Sequence, residues 1–275
     1  MTVRSGEDAS GVRKAAIGIL PFIVAILFAA LLILLVGENP IEAFRLILEG
    51  SLGSSNKISD TIMVWVPLTL AAAGLVVTFS AGLWNIGVEG QIVLGAIGAS
   101  LIAREVSGPW YVVVPLTLIF GVVFGVIWAL LAGVLKTKGK VNEIFGGLGL
   151  DFVATGLTLY LIIGPWARPG IASTSGTEPF PEEALLPNIG NTRFSPLAVI
   201  LAILALVGVG LLLRGTRFGL RLKAVGRNPK SAFLMGIPTN RYILGAFAIC
   251  GGLAGLAGAI QATGFHLKLV PSVSG

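Results

Sequence analysis

The 275 residues include one cysteine, Cys250, and one histidine, His266. A lone member of each cannot build a disulfide framework, a Cys/His zinc site or a haem attachment, so no cofactor or metal is expected on this chain. Cys250 sits among Ala248, Ile249, Gly251 and Gly252 and reads as a small hydrophobe, while His266 follows an apolar stretch and reads as an interfacial side chain. Neither a His-Glu-x-x-His helix nor a Gly-x-Ser-x-Gly turn occurs, which argues against a membrane-embedded hydrolase. The pair Gly139-Lys140 is not a phosphate-binding loop, because Val134 stands where the loop needs glycine and Val141 where it needs Ser or Thr. Charge is scarce too: charged residues fill 12% of positions and hydrophobic ones 55%. Mean hydropathy is +0.93, so the expected solvent is lipid.

The hydrophobic residues fall into runs long enough to cross a bilayer, which takes roughly 20 apolar residues. Seven such spans are expected: Ala15–Val36, Thr61–Phe79, Gly82–Ala103, Trp110–Leu135, Ile144–Ile163, Pro196–Leu213 and Tyr242–Ala262. The first is too long for a signal-peptide core and reads as a retained span. Together they define an all-α, polytopic integral membrane protein with a single transmembrane domain over 1–275 and no room for a second globular domain. Ile41–Glu49 mixes apolar residues with Glu42, Arg45 and Glu49, as a short helix on the membrane surface does. Gly164–Ser195, rich in Pro, Ser, Thr, Gly and Glu, reads as a polar loop. Gly121-xxx-Gly125 and Gly251-xxx-Gly255 allow close helix packing, with Ala254 and Gly258 continuing the small face.

The net charge of +6 is a matter of topology before it is one of nucleic-acid binding, and no nucleic-acid partner is expected. With the N-terminus inside, thirteen Lys and Arg fall in inside segments and six outside, so a cytoplasmic N-terminus is expected. The chain stops at Pro271-Ser-Val-Ser-Gly275 without a closing polar tail, so an incomplete chain is expected.

Three segments stand out. In Phe79-Ser-Ala-Gly-Leu-Trp-Asn-Ile-Gly-Val-Glu-Gly-Gln91, glycines weaken the helix while Asn85, Glu89 and Gln91 are expensive to leave unpaired in lipid. Two readings stand: a broken helix over 82–91 that presents hydrogen bonds to a polar solute, or a turn at the cytoplasmic surface with Glu89 merely solvated. Lys136, Lys138 and Lys140 make a cytoplasmic loop, with Asn142 and Glu143 placed to cap the next helix. Asp151, inside that apolar span, is expected to face a cavity or a partner. The basic stretch Arg214–Pro238 carries Leu220, Leu222, Val225, Phe233, Leu234 and Met235 among its charges, as a helix offered to a partner protein or resting on anionic lipid would.

Three blocks resemble permease subunits of bacterial ABC importers for ribose-like sugars, branched-chain amino acids and nucleosides. They are Gly82-Leu-Trp-Asn-Ile-Gly-Val-Glu-Gly-Gln91, Lys140-Val-Asn-Glu143 with the polar position 151, and Leu222–Pro238. The first looks most like the nucleoside (guanosine-type) branch. Two departures from that branch bear on substrate choice: Asp151 stands where Asn is usual, and Gly147 where Thr is common. The resemblance implies a non-enzymatic subunit of the bacterial plasma membrane that works with a cytoplasmic ABC ATPase holding ATP-Mg, a second related permease and an extracytoplasmic substrate-binding lipoprotein. It implies further membrane segments beyond residue 275. A solute path for a nucleoside or simple sugar is expected near Trp84, Asn85, Glu89, Gln91, Asn142 and Asp151. The resemblance also implies an ATPase-coupling loop with Arg221, Lys223, Gly226, Arg227, Asn228 and Gly236. The competing expectation is a stand-alone ion-coupled carrier in which Glu89 or Asp151 takes a proton.

Overall fold

The computed structural model describes residues 11–170 and 174–274, with side chains from residue 18 onward. Arg4 lies outside the described residues, as do the side chains of Arg13 and Lys14. Among the described residues there is no strand, and the order is ten α-helices with a 3-10 turn at Glu182–Ala184 and a π turn at Gln261–Phe265. The chain divides into two compact units, Met1–Ile58 and Ser59–Gly275.

In the first unit, α1 (Gly11–Leu35) is the expected first span, and none of its residues from 18 onward is buried. The surface segment folds as α2 (Pro40–Leu52), started by Asn39, whose side chain accepts from the Ile41 amide at 3.0 Å, and by Pro40 at the first helical position. Arg45 lies between Glu42 and Glu49 on its exposed face.

The second unit holds α3 (Ser55–Ser80, which begins at the end of the first unit), α4 (Val88–Glu105), α5 (Trp110–Thr137), α6 (Glu143–Ile163), α7 (Pro196–Gly215), α8 (Arg217–Arg227), α9 (Pro229–Leu234) and α10 (Thr239–Ile260). Among the described residues, six helices are long and apolar enough to cross a membrane: α1, α3, α5, α6, α7 and α10 with its π turn. The remaining expected segment, α4, differs. It starts at Val88 rather than Gly82, and it includes Glu89, Arg104 and Glu105. Every residue from Gly90 to Ser100 is buried, so its apolar character serves the inside of the bundle rather than lipid. Residues 81–87 form a turn instead of a first helical turn, because Gly82 adopts φ +72°, where only glycine is unstrained.

Helices α4, α5 and α10 form the centre. The expected small faces meet: a Cβ on Gly251 would strike Ala129 and Gly125 of α5, one on Gly255 would strike the Gly121 carbonyl, and one on Gly258 would strike the Ile92 carbonyl of α4. At one end of this unit, residues 174–195 are more ordered than a connecting loop. The amides of Thr177, Phe180 and Leu186 donate to the carbonyls of Leu269, Leu267 and Thr263, and Phe180, Ala184 and Leu186 are buried. The polar composition of the segment hid this because the bonds are backbone to backbone and leave no side-chain signature.

Candidate functional site

At the opposite, lysine-rich end, the chain reverses between α3 and α4 through the turn 81–87. Asn85 is 2% exposed and Gln91 is 1% exposed. Their amides are paired both ways: Asn85 Nδ2 donates to Gln91 Oε1 at 3.2 Å and Gln91 Nε2 donates to Asn85 Oδ1 at 3.1 Å. Asn85 Nδ2 also reaches Cys250 Sγ of α10 at 3.1 Å. Two buried amides closed on each other meet the demand for buried polar groups to be paired, and they fasten the turn to α4 and α10.

Glu89, one residue into α4, is exposed, and Trp84 is 63% exposed with its ring 5.6 Å from that of Phe79. Asp151 of α6 is half-buried, and its Oδ1 accepts from the Gly90 amide at 2.7 Å. Gly87, the residue preceding α4, offers no side-chain cap, so a carboxylate from another helix satisfies an orphan amide at the positive end of the α4 dipole. Glu89 is within electrostatic reach of Asp151, and the buried indole nitrogen of Trp128 has no hydrogen-bond partner. Trp128 lies at the same spot: a Cβ on Gly90 would lie 2.6 Å from Asp151 Oδ1 and 3.0 Å from Trp128 Nε1. The structure therefore brings together Glu89, Asp151 and Trp128, the last passed over in the sequence because a tryptophan in an apolar run carries no polar signal.

Asn142 is exposed and accepts from the Ile144 amide at 2.9 Å, which caps α6. Glu143 pairs with Lys136 Nζ at 2.6 Å, tying the end of α5 to the start of α6. The outer face of α6 exposes Phe145, Phe152 and Tyr160, with Gly149 and Gly156 between them opening on empty space.

The basic stretch forms α8 and α9. Leu222 and Val225 are fully buried, whereas Arg221, Lys223 and Arg227 are exposed. Lys223 Nζ donates to the Leu213 carbonyl at 2.8 Å near the end of α7, and Arg221 donates to the Tyr242 hydroxyl at 3.3 Å. Asn228 caps α9 by accepting from the Ser231 amide at 3.1 Å, and Gly236 ends the segment at φ +80°. Gly226 is pressed against the turn: a Cβ there would lie 2.9 Å from the Gly82 amide nitrogen. Beyond α8 the chain exposes Phe233, Leu234 and Met235, with Leu234 at 85%.

The other end of the unit holds a cavity of about 620 Å³ lined by Trp110, Glu182, Glu183, Asn188, Arg193 and neighbours. Arg193 lies 3.8 Å from Asp60 and 5.1 Å from the centre of the Phe265 ring. Burial, and then the charges of Arg193 and Lys268, hold the His266 imidazole below its ordinary pKa.

Residues 57–274 match the family of branched-chain amino acid transport system permease components. The chain is 26% identical to a nucleoside ABC transporter permease protein of Lactococcus lactis, over 94% of this chain and 73% of that relative. It is 30% identical to a glucose ABC transporter permease protein of Haloferax volcanii, over 92% and 72%. It is 28% identical to a guanosine ABC transporter permease protein of Bacillus subtilis, over 90% and 71%. No solved structure matches it.

Proposed function

Because the chain belongs to the branched-chain amino acid transport permease family, and is thereby a multi-pass ABC transporter permease subunit rather than an enzyme, we propose that it forms the membrane path of an importer for a nucleoside or simple sugar. The observation that carries this reading is Glu89, an exposed carboxylate beside half-buried Asp151 in an otherwise apolar bundle. Glu89 meets water at the lysine-rich end, and Asp151, an ionisable group within the apolar run of α6, would be costly against hydrocarbon and belongs on a route that continues that water inward. Glu89 and the free oxygen of Asp151 accept hydrogen bonds from ring hydroxyls, a chemistry that ribose and hexoses share, and exposed Trp84 offers an apolar ring for the solute's flat face. Asn85 and Gln91 hold the turn in place, and Asn142 holds the start of α6.

On this reading the lysine-rich end is cytoplasmic, as is the N-terminus, in the bacterial plasma membrane. ATP-Mg is bound by a separate ATPase that docks on α8 and α9, an extracytoplasmic lipoprotein delivers solute at the other end, and a second, related permease closes the path against the exposed face of α6. Uptake into proteoliposomes containing the assembled importer, measured with labelled guanosine, uridine and glucose, tests it. ATP-dependent accumulation of one of these that Glu89→Gln lowers is the expected result. Uptake that needs no ATPase and follows a proton gradient would replace this reading with an ion-coupled carrier.

A further inference from the structure

The turn 81–87 meets two helices, α8 and α6, backbone against backbone. On one side Gly82 meets Gly226 of α8: a Cβ on Gly82 would lie 2.9 Å from the Gly226 carbonyl oxygen, and a Cβ on Gly226 would collide with the Ser80 carbonyl. On the other side Gly87 meets Gly147 of α6: a Cβ on Gly87 would lie 2.8 Å from the Gly147 Cα, and one on Gly147 would lie 2.7 Å from the Gly87 amide nitrogen. Between these contacts the Asn85 side chain is bonded to Gln91 of α4 and Cys250 of α10. Gly82 at φ +72° holds a backbone shape no other residue adopts without strain.

We infer that this turn is the relay that carries ATPase-driven movement of α8 into α4 and α6, with Gly82, Gly226, Gly87 and Gly147 as positioning residues for transport. The inference rests on the importer reading above. Flexible side chains between two helices absorb small shifts by changing rotamer, whereas abutting backbones have no such slack, and a displacement of α8 must move the turn or break the contact. The same turn is bonded to α4 and packed on α6, the elements that carry the carboxylates of the proposed path, since Glu89 lies in the first turn of α4 and Asp151 holds the Gly90 amide from α6. A push on α8 therefore reaches Glu89 and Asp151 through two backbone contacts.

The test uses the assembled importer in proteoliposomes and compares Gly226→Ala, which wedges α8 off the turn, with Gly87→Ala, which wedges the turn off α6. Gly210→Ala serves as the control, since open space surrounds Gly210. Gly87 has φ −68°, a value alanine accepts, so its variant changes only the spacing. Gly87→Ala, away from the docking helices, is expected to retain the ATPase and hydrolyse ATP while solute moved per ATP falls by roughly two- to thirtyfold, the range that single changes along a coupled network produce. Gly226→Ala is read as the same ratio per ATP hydrolysed by the ATPase that stays bound, and is expected to fall likewise. A wild-type ratio in both, or loss of hydrolysis in step with loss of bound ATPase in Gly87→Ala, overturns the relay. Hydrogen exchange in the wild-type assembly supplies a check that needs no variant. Protection across 81–87 should change when a non-hydrolysable ATP analogue closes the ATPase, and an unchanged turn beneath an altered α8 also overturns it. A wild-type assembly that retains no ATPase refutes the importer reading instead.

Discussion

The Asp151 carboxylate of α6 accepts the amide of Gly90, the third residue of α4, at 2.7 Å. One side chain thus supplies a cap that α4 lacks, and on the proposed importer reading its second oxygen serves a passing solute. The two roles separate by substitution. Asp151→Leu leaves the Gly90 amide unpaired at the start of a buried helix, a loss of about 1–3 kcal/mol. Asp151→Asn keeps an acceptor oxygen but removes the charge. Thermal unfolding of the purified protein in mild detergent should show a lowered midpoint for the leucine variant and a nearly unchanged one for asparagine, while uptake falls in the leucine variant with the ATPase still bound. Equal midpoints in all three proteins would refute the capping role.

The Asn85 and Gln91 amides, closed on each other at 3.1 and 3.2 Å, should behave as a unit. Removing either leaves the other buried without its partner, so Asn85→Ala and Gln91→Ala are each expected to cost about 1–3 kcal/mol. The double variant should cost less than the sum of the two, with a coupling energy of about 0.5–3 kcal/mol. Additive losses in a denaturation cycle would show that the pair contributes no mutual interaction.

Much of the fold was legible because membrane spans announce themselves by length and apolarity: α1, α3, α5, α6, α7 and α10 begin and end close to the runs that mark them. The start of α4 was not, since a hydropathy run continues through Gly82–Val88 while the backbone turns, and the sign of Gly82 φ is not written in composition. At the site, Asn85, Glu89, Gln91 and Asp151 were conspicuous as polar groups in an apolar stretch. Their division into a closed pair and a carboxylate pair was not, because partnership depends on which helix lies opposite. Trp128 and the contact between Gly82 and Gly226 arise from pairs far apart in the chain, which no local pattern encodes.

His266 lies just beyond the π turn, half-buried and facing the positive charges of Arg193 and Lys268. Burial first, and those charges second, hold its folded pKa below the ordinary 6.5. A depressed base binds fewer protons folded than unfolded, so stability is full above the unfolded value and is lost as pH falls from about 6.5 through the folded pKa. The midpoint of thermal unfolding should therefore drop between pH 7.5 and 5.5 by more in the wild type than in His266→Gln. The same drop in both proteins would remove His266 as a source of the pH dependence.

The α9 tip offers the sharpest test of where the ATPase sits. Charge reversal at Arg221 or Lys223 is a poor probe, because these side chains also bond Tyr242 and the Leu213 carbonyl and their loss disturbs the packing of α8 on α7 and α10. Phe233, Leu234 and Met235 carry no such burden: each is more than 60% exposed. Polar replacements at exposed positions should shift stability by no more than about 0.5 kcal/mol. If the three side chains fill a pocket on the ATPase, Phe233→Ser with Leu234→Ser should weaken binding by about 2 kcal/mol or more, a loss of roughly thirtyfold in affinity. Titration of ATPase against nanodisc-held protein reads that loss directly. Unchanged affinity would move the contact to the charged face of α8, where Arg227, exposed and close to the Gly226 contact with the turn, becomes the residue to reverse.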